Sequence, residues 1–325
     1  MLEILSTGGV NCVQDLGRTG YLDVGVGRSG AMDRPALEAA NGLLGNDANA
    51  AGLEISLFPF RLRFAADAAF ALTGADCPAS LDGRPLPGWW AKRAKAGDVL
   101  KLDLPRDGVR AYLAFAGGID VPPVLGSRAT DLKSGFGGLD GRGLKRGDRL
   151  SLCEPAVRIC LPDGGIGFDP TELRGGLPPA GGLVRLRILP SAEFALFTAE
   201  ARQRFFATEW TVTNDANRMG YRLAGPELAL SRPLELFSHG IVPGTVQVPP
   251  SGQPIIQLAE ANTCGGYPKI ANVVEADLWK LAQAPVGARL RFEEVSLEAA
   301  VTAIARERAA LADMKALAAL ARRDT

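Results

Sequence analysis

Residues 238–269 read SHGIVPGTVQVPPSGQPIIQLAEANTCGGYPK, with glycine or proline every few positions between short apolar runs. Three such runs, 244–248, 254–258 and 270–274 just beyond, have the length of strands and alternate with turn dipeptides: Pro249-Pro250, Ser251-Gly252 and Gly265-Gly266. The stretch predicts short strands joined by tight turns. Between them stand polar groups that a plain β-barrel does not need: His239, Gln247, Gln257, Glu260, Asn262, Thr263, Cys264, Tyr267 and Lys269. Turn chemistry alone selects Asn, Ser and Gly, so any one of these reads as a solvated turn residue. Their density in one segment points to a site.

The whole chain fits a largely β protein. Its 325 residues accommodate two domains, and 47% hydrophobic with 22% charged residues describes an ordinary core-forming protein. Thirty-six basic and 36 acidic side chains cancel, leaving no long-range field to recruit nucleic acid or an anionic membrane surface. A small molecule or a protein partner is favoured. Thirty-nine glycines and 22 prolines call for many turns and short strands. The start, MLEILSTGGV, lacks the basic and apolar regions of a signal peptide, and no run of 18 apolar residues occurs, so the cytoplasm is the expected compartment. Five cysteines without a C-x-x-C spacing, and one histidine, argue against a disulfide framework and against a metal site.

The phrase GDVLKL at 97–102 returns as GDRLSL at 147–152 and, more loosely, as GARLRF at 287–292. Each reads as a turn followed by an alternating strand, giving three hairpin arms. Their unequal spacing excludes a solenoid. Proline and glycine crowd residues 153–180, which predicts a break in the chain there. The expected division is a β lobe with a glycine loop and helix at 1–155, a linker or long loop at 156–182, a second β lobe at 183–295 and a helix at 296–325. Helix signals frame 35–44, with Asp33 as N-cap, Pro35 in the first turn and Gly45 at the end. The alanine-rich stretch 296–323 is a second helix suited to packing or homo-oligomer assembly, its terminal Arg322-Arg323 matching the negative end of the helix dipole.

Gly25-Val26-Gly27-Arg28-Ser29-Gly30 satisfies G-x-G-x-x-G, precedes a helix and has Glu54 after it, imitating a dinucleotide fingerprint. No succession of parallel strands and long helices follows to complete a doubly wound sheet. Two readings stay open: a loop whose backbone N–H groups and Arg28 approach an anion, or a tight turn shaping the helix entry. Arg18 and Arg218 each stand beside a turn glycine, where a guanidinium either braces a loop carbonyl or grips a carboxylate. The Asn41 amide, with Arg128 farther on, can orient a urea- or lactam-like carbonyl or satisfy buried backbone. Cys264 and His239 form a thiol nucleophile only if the fold brings them together; otherwise Cys264 is a small, partly buried replacement for threonine.

Together with Asn217-Arg218-Met219-Gly220-Tyr221-Arg222-Leu223, the opening segment resembles the carboxyltransferase-like family that includes the C component of 5-oxoprolinase, the second subunit of allophanate hydrolase and the KipA regulators. The resemblance runs along nearly the whole chain, through Val13-Gln14-Asp15-Leu16-Gly17-Arg18-Thr19-Gly20-Tyr21, Ser29-Gly30-Ala31-Met32-Asp33, Ala40-Asn41, Gly45-Asn46, Leu53-Glu54-Ile55, Gly117-Gly118-Ile119-Asp120-Val121-Pro122 and Leu125-Gly126-Ser127-Arg128. The sequence departs from the family pattern at His239, at Glu260-Ala261-Asn262 and at Cys264. The resemblance implies cyclophilin-like β-barrel lobes and a chain that works with a smaller partner, of the 5-oxoprolinase B or KipI type, and with a third protein of the 5-oxoprolinase A type. It further implies ATP-coupled opening of an amide or lactam by the complex, with carboxyl transfer from carboxybiotin, or KipA-like regulation without catalysis, as the alternatives. Under the first reading the expected catalytic groups are Glu260, Arg218, Lys269 and Asp215. The expected substrate contacts are Arg18, Gly27, Arg28, Ser29, Asn41, Arg128, Tyr221, Gln247, Asn262, Thr263, Gly265, Gly266 and Tyr267. Arg18, the 25–30 loop, Asn41, Arg218, Tyr221 and the 262–267 loop are expected to share one cleft.

Overall fold

The computed structural model describes residues 1–156, 159–174 and 182–322. They fall into two compact units, one made of 1–18, 29–177 and 307–325, the other of 19–28 and 178–306.

In the first unit, thirteen strands run in chain order: β1 Leu2–Ser6, β2 Cys12–Gln14, β3 Gly52–Ile55, β4 Phe60–Phe64, β5 Ala68–Asp76, β6 Ala79–Leu81, β7 Arg84–Leu86, β8 Trp90–Ala94, β9 Val99–Leu102, β10 Asp107–Phe115, β11 Ile119–Asp120, β12 Arg149–Leu152 and β13 Ile166–Gly167. They form a sheet ordered β11-β12-β1-β4-β9-β6-β7 and a second ordered β13-β8-β5-β10-β3-β2. Strand β4 shows why they pack: alternation in FRLRF buries Phe60, Leu62 and Phe64 and exposes both arginines. Those three join Leu2, Ile4, Phe70, Leu72, Leu113 and Phe115 in one apolar core. At roughly 1.5–3 kcal/mol for each large side chain buried, this core is the principal stabilising term of the unit.

Helix α1, Arg34–Leu44, begins where the sequence places it. Asp33 accepts from the Ala36 N–H, and Gly45 ends the helix at φ 73°, a left-handed conformation that glycine adopts without steric cost. Its apolar face buries Leu37, Leu43 and Leu44. Gly42 meets the C-terminal helix so closely that an added Cβ would lie 2.7 Å from Lys315 Cγ.

Residues 159–174, expected as linker, are built into this unit. Ile159 and Leu161 pack with α1 residues, β13 pairs with β8, and the short helix α2, Thr171–Arg174, brings a buried Arg174 to Asp33 at 2.5 Å. Of the expected 156–182 segment, 157–158 and 175–181 lie outside the described residues.

The second unit holds β14 Leu183–Pro190, α3 Ala199–Ala207, β15 Trp210–Val212, β16 Gly220–Ala224, β17 His239–Gly240, β18 Thr245–Gln247, β19 Ile255–Gln257, β20 Cys264–Gly265, β21 Lys269–Val273, α4 Leu278–Gln283 and β22 Arg289–Glu294. Seven strands close a barrel in the order β14-β21-β18-β19-β16-β15-β22, and β17 pairs with β20 as a separate flap. The strands expected at 244–248, 254–258 and 270–274 are β18, β19 and β21. Val246, Ile256 and Ile270 are buried, as are Leu186, Leu223 and Leu290. Helix α5, Leu297–Ala321, packs Ala300 and Ala303 on Val274 and Ala276 in this unit, and Leu311 and Met314 on α1 residues in the first.

Two expectations need correction. The glycines at 97, 147 and 287 do open strands, and their N–H groups bond the carbonyls of Phe64, Ile4 and Val212 in turn. They are corner turns rather than hairpin arms: β9 pairs with β4 and β6, not with the preceding β8, which lies in the other sheet. Arg322 does not serve its own helix terminus; its guanidinium donates to the Gly42 and Leu43 carbonyls at 2.8 and 2.6 Å, satisfying the C-terminal end of α1. Arg323 lies outside the described residues.

Candidate functional site

The N-terminal motifs of the first unit are anchors of the fold. Asp15 is 1% exposed, and its carboxylate accepts from the Gly17 N–H at 2.8 Å, the Ser127 hydroxyl at 2.7 Å and the Arg128 N–H at 2.6 Å. One carboxylate thus ties Val13–Tyr21 to the Leu125–Arg128 motif. Arg18 donates to the Ala129 carbonyl at 2.6 Å and lies over the Phe136 ring at 4.6 Å. The Asn41 amide donates to the Ala48 and Ala50 carbonyls at 3.2 and 2.8 Å and accepts from Asn46 at 3.0 Å. Arg128 donates its Nε to the Val121 carbonyl. These groups, expected at a ligand, are committed to backbone carbonyls and rings of their own unit.

Glu54 closes a second buried network. Its Oε2 accepts from the Met32 N–H and from the Tyr112 hydroxyl, both at 2.8 Å, and Tyr112 in turn accepts from the Asp33 N–H at 2.8 Å. Burial, with the Glu54 and Asp33 charges beside it, holds the Tyr112 phenol well above its ordinary range. Glu54 therefore fixes the Ser29–Asp33 motif. The dinucleotide imitation fails on that account: the carboxylate that would face a ribose is enclosed between a backbone N–H and a phenol.

Within the second unit the structure brings distant segments together. A Cβ on Gly27 would stand 3.4 Å from the Ala261 carbonyl, so the glycine loop lies against the 260–262 turn. Arg218 and Glu260, just before β16 and after β19, pair through Nε and Oε1 at 2.6 Å, with both side chains buried. Backbone supports them: Glu260 N–H donates to the Arg218 carbonyl and Leu258 N–H to Met219. Beyond the pair, Tyr221 is buried and its hydroxyl lies 3.5 Å from the Ala284 carbonyl, whereas Asp215, Asn262 and Tyr267 are exposed. Thr263 gives its carbonyl to the Ile241 N–H.

A row of polar side chains stands on the outward face of β18, β19 and β21, opposite the Val246–Ile256 core. Gln257 donates to Gln247 Oε1 at 2.9 Å, and Gln247 sits opposite Lys269 across a bulge in the β18–β21 pairing. The bulge turns Lys269 onto this face. The β17–β20 flap covers it: Lys269 Nζ lies 2.6 Å from His239 Nε2 and donates to the Gly265 carbonyl at 3.3 Å. Glu193, from the turn after β14, reaches His239 Nε2 at 3.3 Å. Desolvation lowers the Lys269 pKa, with the Glu193 charge opposing.

Gly265 and Gly266 both lack left-handed φ, but the expected close approach is present. A Cβ would fall 2.7 Å from Gln247 Nε2 at Gly265 and 2.9 Å from the Leu236 carbonyl at Gly266. All five cysteines are free of disulfide bonds, and Cys264 alone of them is exposed. Glu193 was missed by sequence reasoning; a single acid in the Ser191–Glu193 turn carries no pattern that separates it from a solvated charge.

Among the described residues no group of three His, Cys, Asp or Glu side chains is placed to hold a metal ion, and no helix is long and apolar enough to cross a membrane. The glycine loop fits a nucleotide phosphate poorly, because the Gly25 and Val26 N–H groups close turns onto Leu22 and Tyr21. Ser29, at φ 50°, buries its hydroxyl. Arg28 is engaged within the protein.

The second unit is thus a closed β-barrel that carries Lys269 on β21 beneath the β17–β20 flap and holds a buried Arg218–Glu260 pair. The chain belongs to the family described as carboxyltransferase domain, subdomain A and B, whose model matches residues 24–294. It is similar to the C subunit of 5-oxoprolinase in Escherichia coli, with 46% identity over 93% of this chain and 94% of that one. The same-named protein of Haemophilus influenzae is 41% identical over 92% of this chain and 93% of its own. Among solved structures, Kluyveromyces lactis urea amidolyase superposes with a TM-score of 0.88 at 30% identity over 96% of this chain. The match spans only 20% of the urea amidolyase chain.

Proposed function

We propose that this chain is the C-type component of an ATP-dependent amide or lactam hydrolase of the 5-oxoprolinase type, acting with a B-like partner and a third, A-like protein. The observation that carries the reading is the 46% identity to the C subunit of E. coli 5-oxoprolinase, over 93% of this chain and 94% of the relative. The family match at 24–294 includes the barrel and the flap.

Opening an amide requires donors toward the carbonyl oxygen, a water directed at the carbon and a proton for the departing nitrogen. In this reading Lys269 and Gln247 are the donors on the barrel face, with Asn262, Thr263, Gly265, Gly266 and Tyr267 around them. Arg218 holds Glu260 in place, so Glu260 fixes the turn at Ala261 and Gly27 before it serves as a base. Asp215 is the alternative carboxylate for that role. ATP belongs to the complex: the turn bonds of the glycine loop speak against a phosphate cradle in this chain.

Purified alone, the chain is expected to show no turnover of 5-oxoproline, urea or allophanate. Co-purified with its B- and A-like partners and given ATP, it should convert 5-oxoproline to glutamate. Robust turnover by the single chain refutes the reading of one component among several. A second reading, carboxyl transfer between carboxybiotin and a urea-like amide, is favoured by the fold shared with urea amidolyase at a TM-score of 0.88. Biotin-dependent carboxylation of urea by an assembly inert toward 5-oxoproline would select it.

A further inference from the structure

Lys269 and Gln247, the donors on the barrel face, are 5% and 4% exposed, because the β17–β20 flap lies over both. Two groups of the flap make the cover. The Gly265 carbonyl accepts from Lys269 Nζ at 3.3 Å, and Gly265 stands so near Gln247 that an added Cβ would lie 2.7 Å from Nε2. The His239 ring, on the paired strand, has Nε2 2.6 Å from Lys269 Nζ and 3.3 Å from Glu193 Oε1, so the imidazole stands between the amine and the carboxylate. A peptide group of the chain itself therefore takes the Lys269 hydrogen that the proposed function gives to the carbonyl of a ligand.

The cover is lightly held. Its ladder is two residue pairs, His239 with Gly265 and Gly240 with Cys264, and a two-stranded ribbon is of marginal stability by itself. Phe237, leading into the flap, is 97% exposed, and Tyr267, leaving it, is 48% exposed, so the large apolar side chains at its ends add little burial. Nor does the flap satisfy all that it covers. Gln247 Oε1 accepts from Gln257, but among the described residues Nε2 has no acceptor. Buried polar groups are normally paired, so closure leaves this donor in want of a partner that a ligand supplies. Segments with few buried contacts and short ladders open locally at small free-energy cost.

We propose that the β17–β20 flap is an autoinhibitory gate: the Gly265 peptide and the His239 ring occupy Lys269 in place of a ligand, which enters by displacing them. The identity of that ligand rests on the amide-hydrolase reading, whereas the gate is a property of this chain. Glycine at 265 is what lets the peptide approach Gln247. A single methyl there is met by the Gln247 side chain turning aside; a branched, stiff valine presses the flap off the face. Closure also competes with binding, since the apparent affinity for a ligand is the intrinsic one multiplied by the fraction of chains that are open.

Limited acetylation of the full chain with acetic anhydride, read lysine by lysine by mass spectrometry, tests the gate without any substrate. Lys95 and Lys145 are exposed and serve as references. Desolvation lowers the Lys269 pKa and leaves more of its amine unprotonated, so slow reaction there reports the cover rather than the charge. Wild-type Lys269 should react at least about tenfold more slowly than the references, as a group reached only by local opening does. Gly265→Val, or His239→Gly if that variant folds poorly, should bring it to within about threefold of them. A wild-type Lys269 that reacts as fast as Lys95, or one that stays equally slow in the folded variants, overturns the proposal. In the reconstituted complex His239→Gly should lower KM for 5-oxoproline about tenfold, and a KM equal to or above that of wild type overturns the competition. Protection of Lys269 that the variants release, with no 5-oxoproline turnover by the complex, would refute the hydrolase reading and uphold the gate; an unprotected Lys269 with full turnover would do the reverse.

Discussion

Replacing Asp15 with alanine should unfold the first unit's motif cluster without touching the barrel face. The carboxylate is 1% exposed and accepts three hydrogen bonds, from Gly17, Ser127 and Arg128. Hydrogen bonds to a charged group contribute about 1.5–3 kcal/mol each, and donors left buried without an acceptor cost about 1–3 kcal/mol each. The three share one acceptor and are not additive, so the expected loss is about 3–6 kcal/mol, a large part of the ~5–15 kcal/mol that holds a domain folded. For a unit of this size each kcal/mol lowers the melting temperature by about 2–4 °C, giving a fall of about 6–24 °C. Differential scanning calorimetry on Asp15→Ala reads it directly, with Ser127→Ala, which leaves the two backbone bonds, expected to lose about 1–2 kcal/mol. A melting temperature within about 2 °C of wild type, in a variant that has lost activity in the reconstituted complex, would refute the anchoring argument and point to a direct role of Asp15 in activity.

Gly266→Val should disorder the flap, because even its Cβ would stand 2.9 Å from the Leu236 carbonyl; faster amide exchange at 239–240 and 264–266 checks it, and unchanged exchange there contradicts the packing argument. Asp277 is fully buried, and although burial alone raises its pKa, the Arg187 hydrogen bonds and Lys280 bring it below the ordinary 3.8. A carboxylate depressed on folding contributes stability that is fully present above its unfolded pKa and is lost as pH falls through the folded value. The stability gap between wild type and Asp277→Asn should therefore be constant from about pH 5 to 7 and shrink below about pH 4, as urea titrations at several pH values will show. Glu260→Leu should destabilise by about 3–5 kcal/mol by stranding the Arg218 charge in a buried place, whereas Arg218→Met/Glu260→Leu together should recover much of it; equal losses in single and double variants would contradict the pairing.

The local signals of the sequence were sound wherever one element decides its own shape. Asp33 and Gly45 bracket α1 because a side-chain acceptor and a left-handed glycine act within a turn of the helix end. Proline marks the end of β18 at Pro249 and the starts of β19 and β21 at Pro254 and Pro268. The ordered motifs along the chain identified the family, since so many matches at consistent spacing are not reached by chance composition. Tertiary structure decided which polar residues face one another. Arg18, Asn41 and Arg128 look like ligand groups in one dimension and in the structure donate to backbone carbonyls, that of Arg18 111 residues away. The corner turns at Gly97 and Gly147 read like hairpins because strand periodicity does not say which sheet a strand joins. Most plainly, the contacts of His239 with Lys269 and with Glu193 depend on a bulge in one barrel strand, a two-residue flap pairing and a turn 76 residues upstream of Lys269. Each is a long-range packing choice, made by the closure of the barrel and invisible to any local reading of the chain.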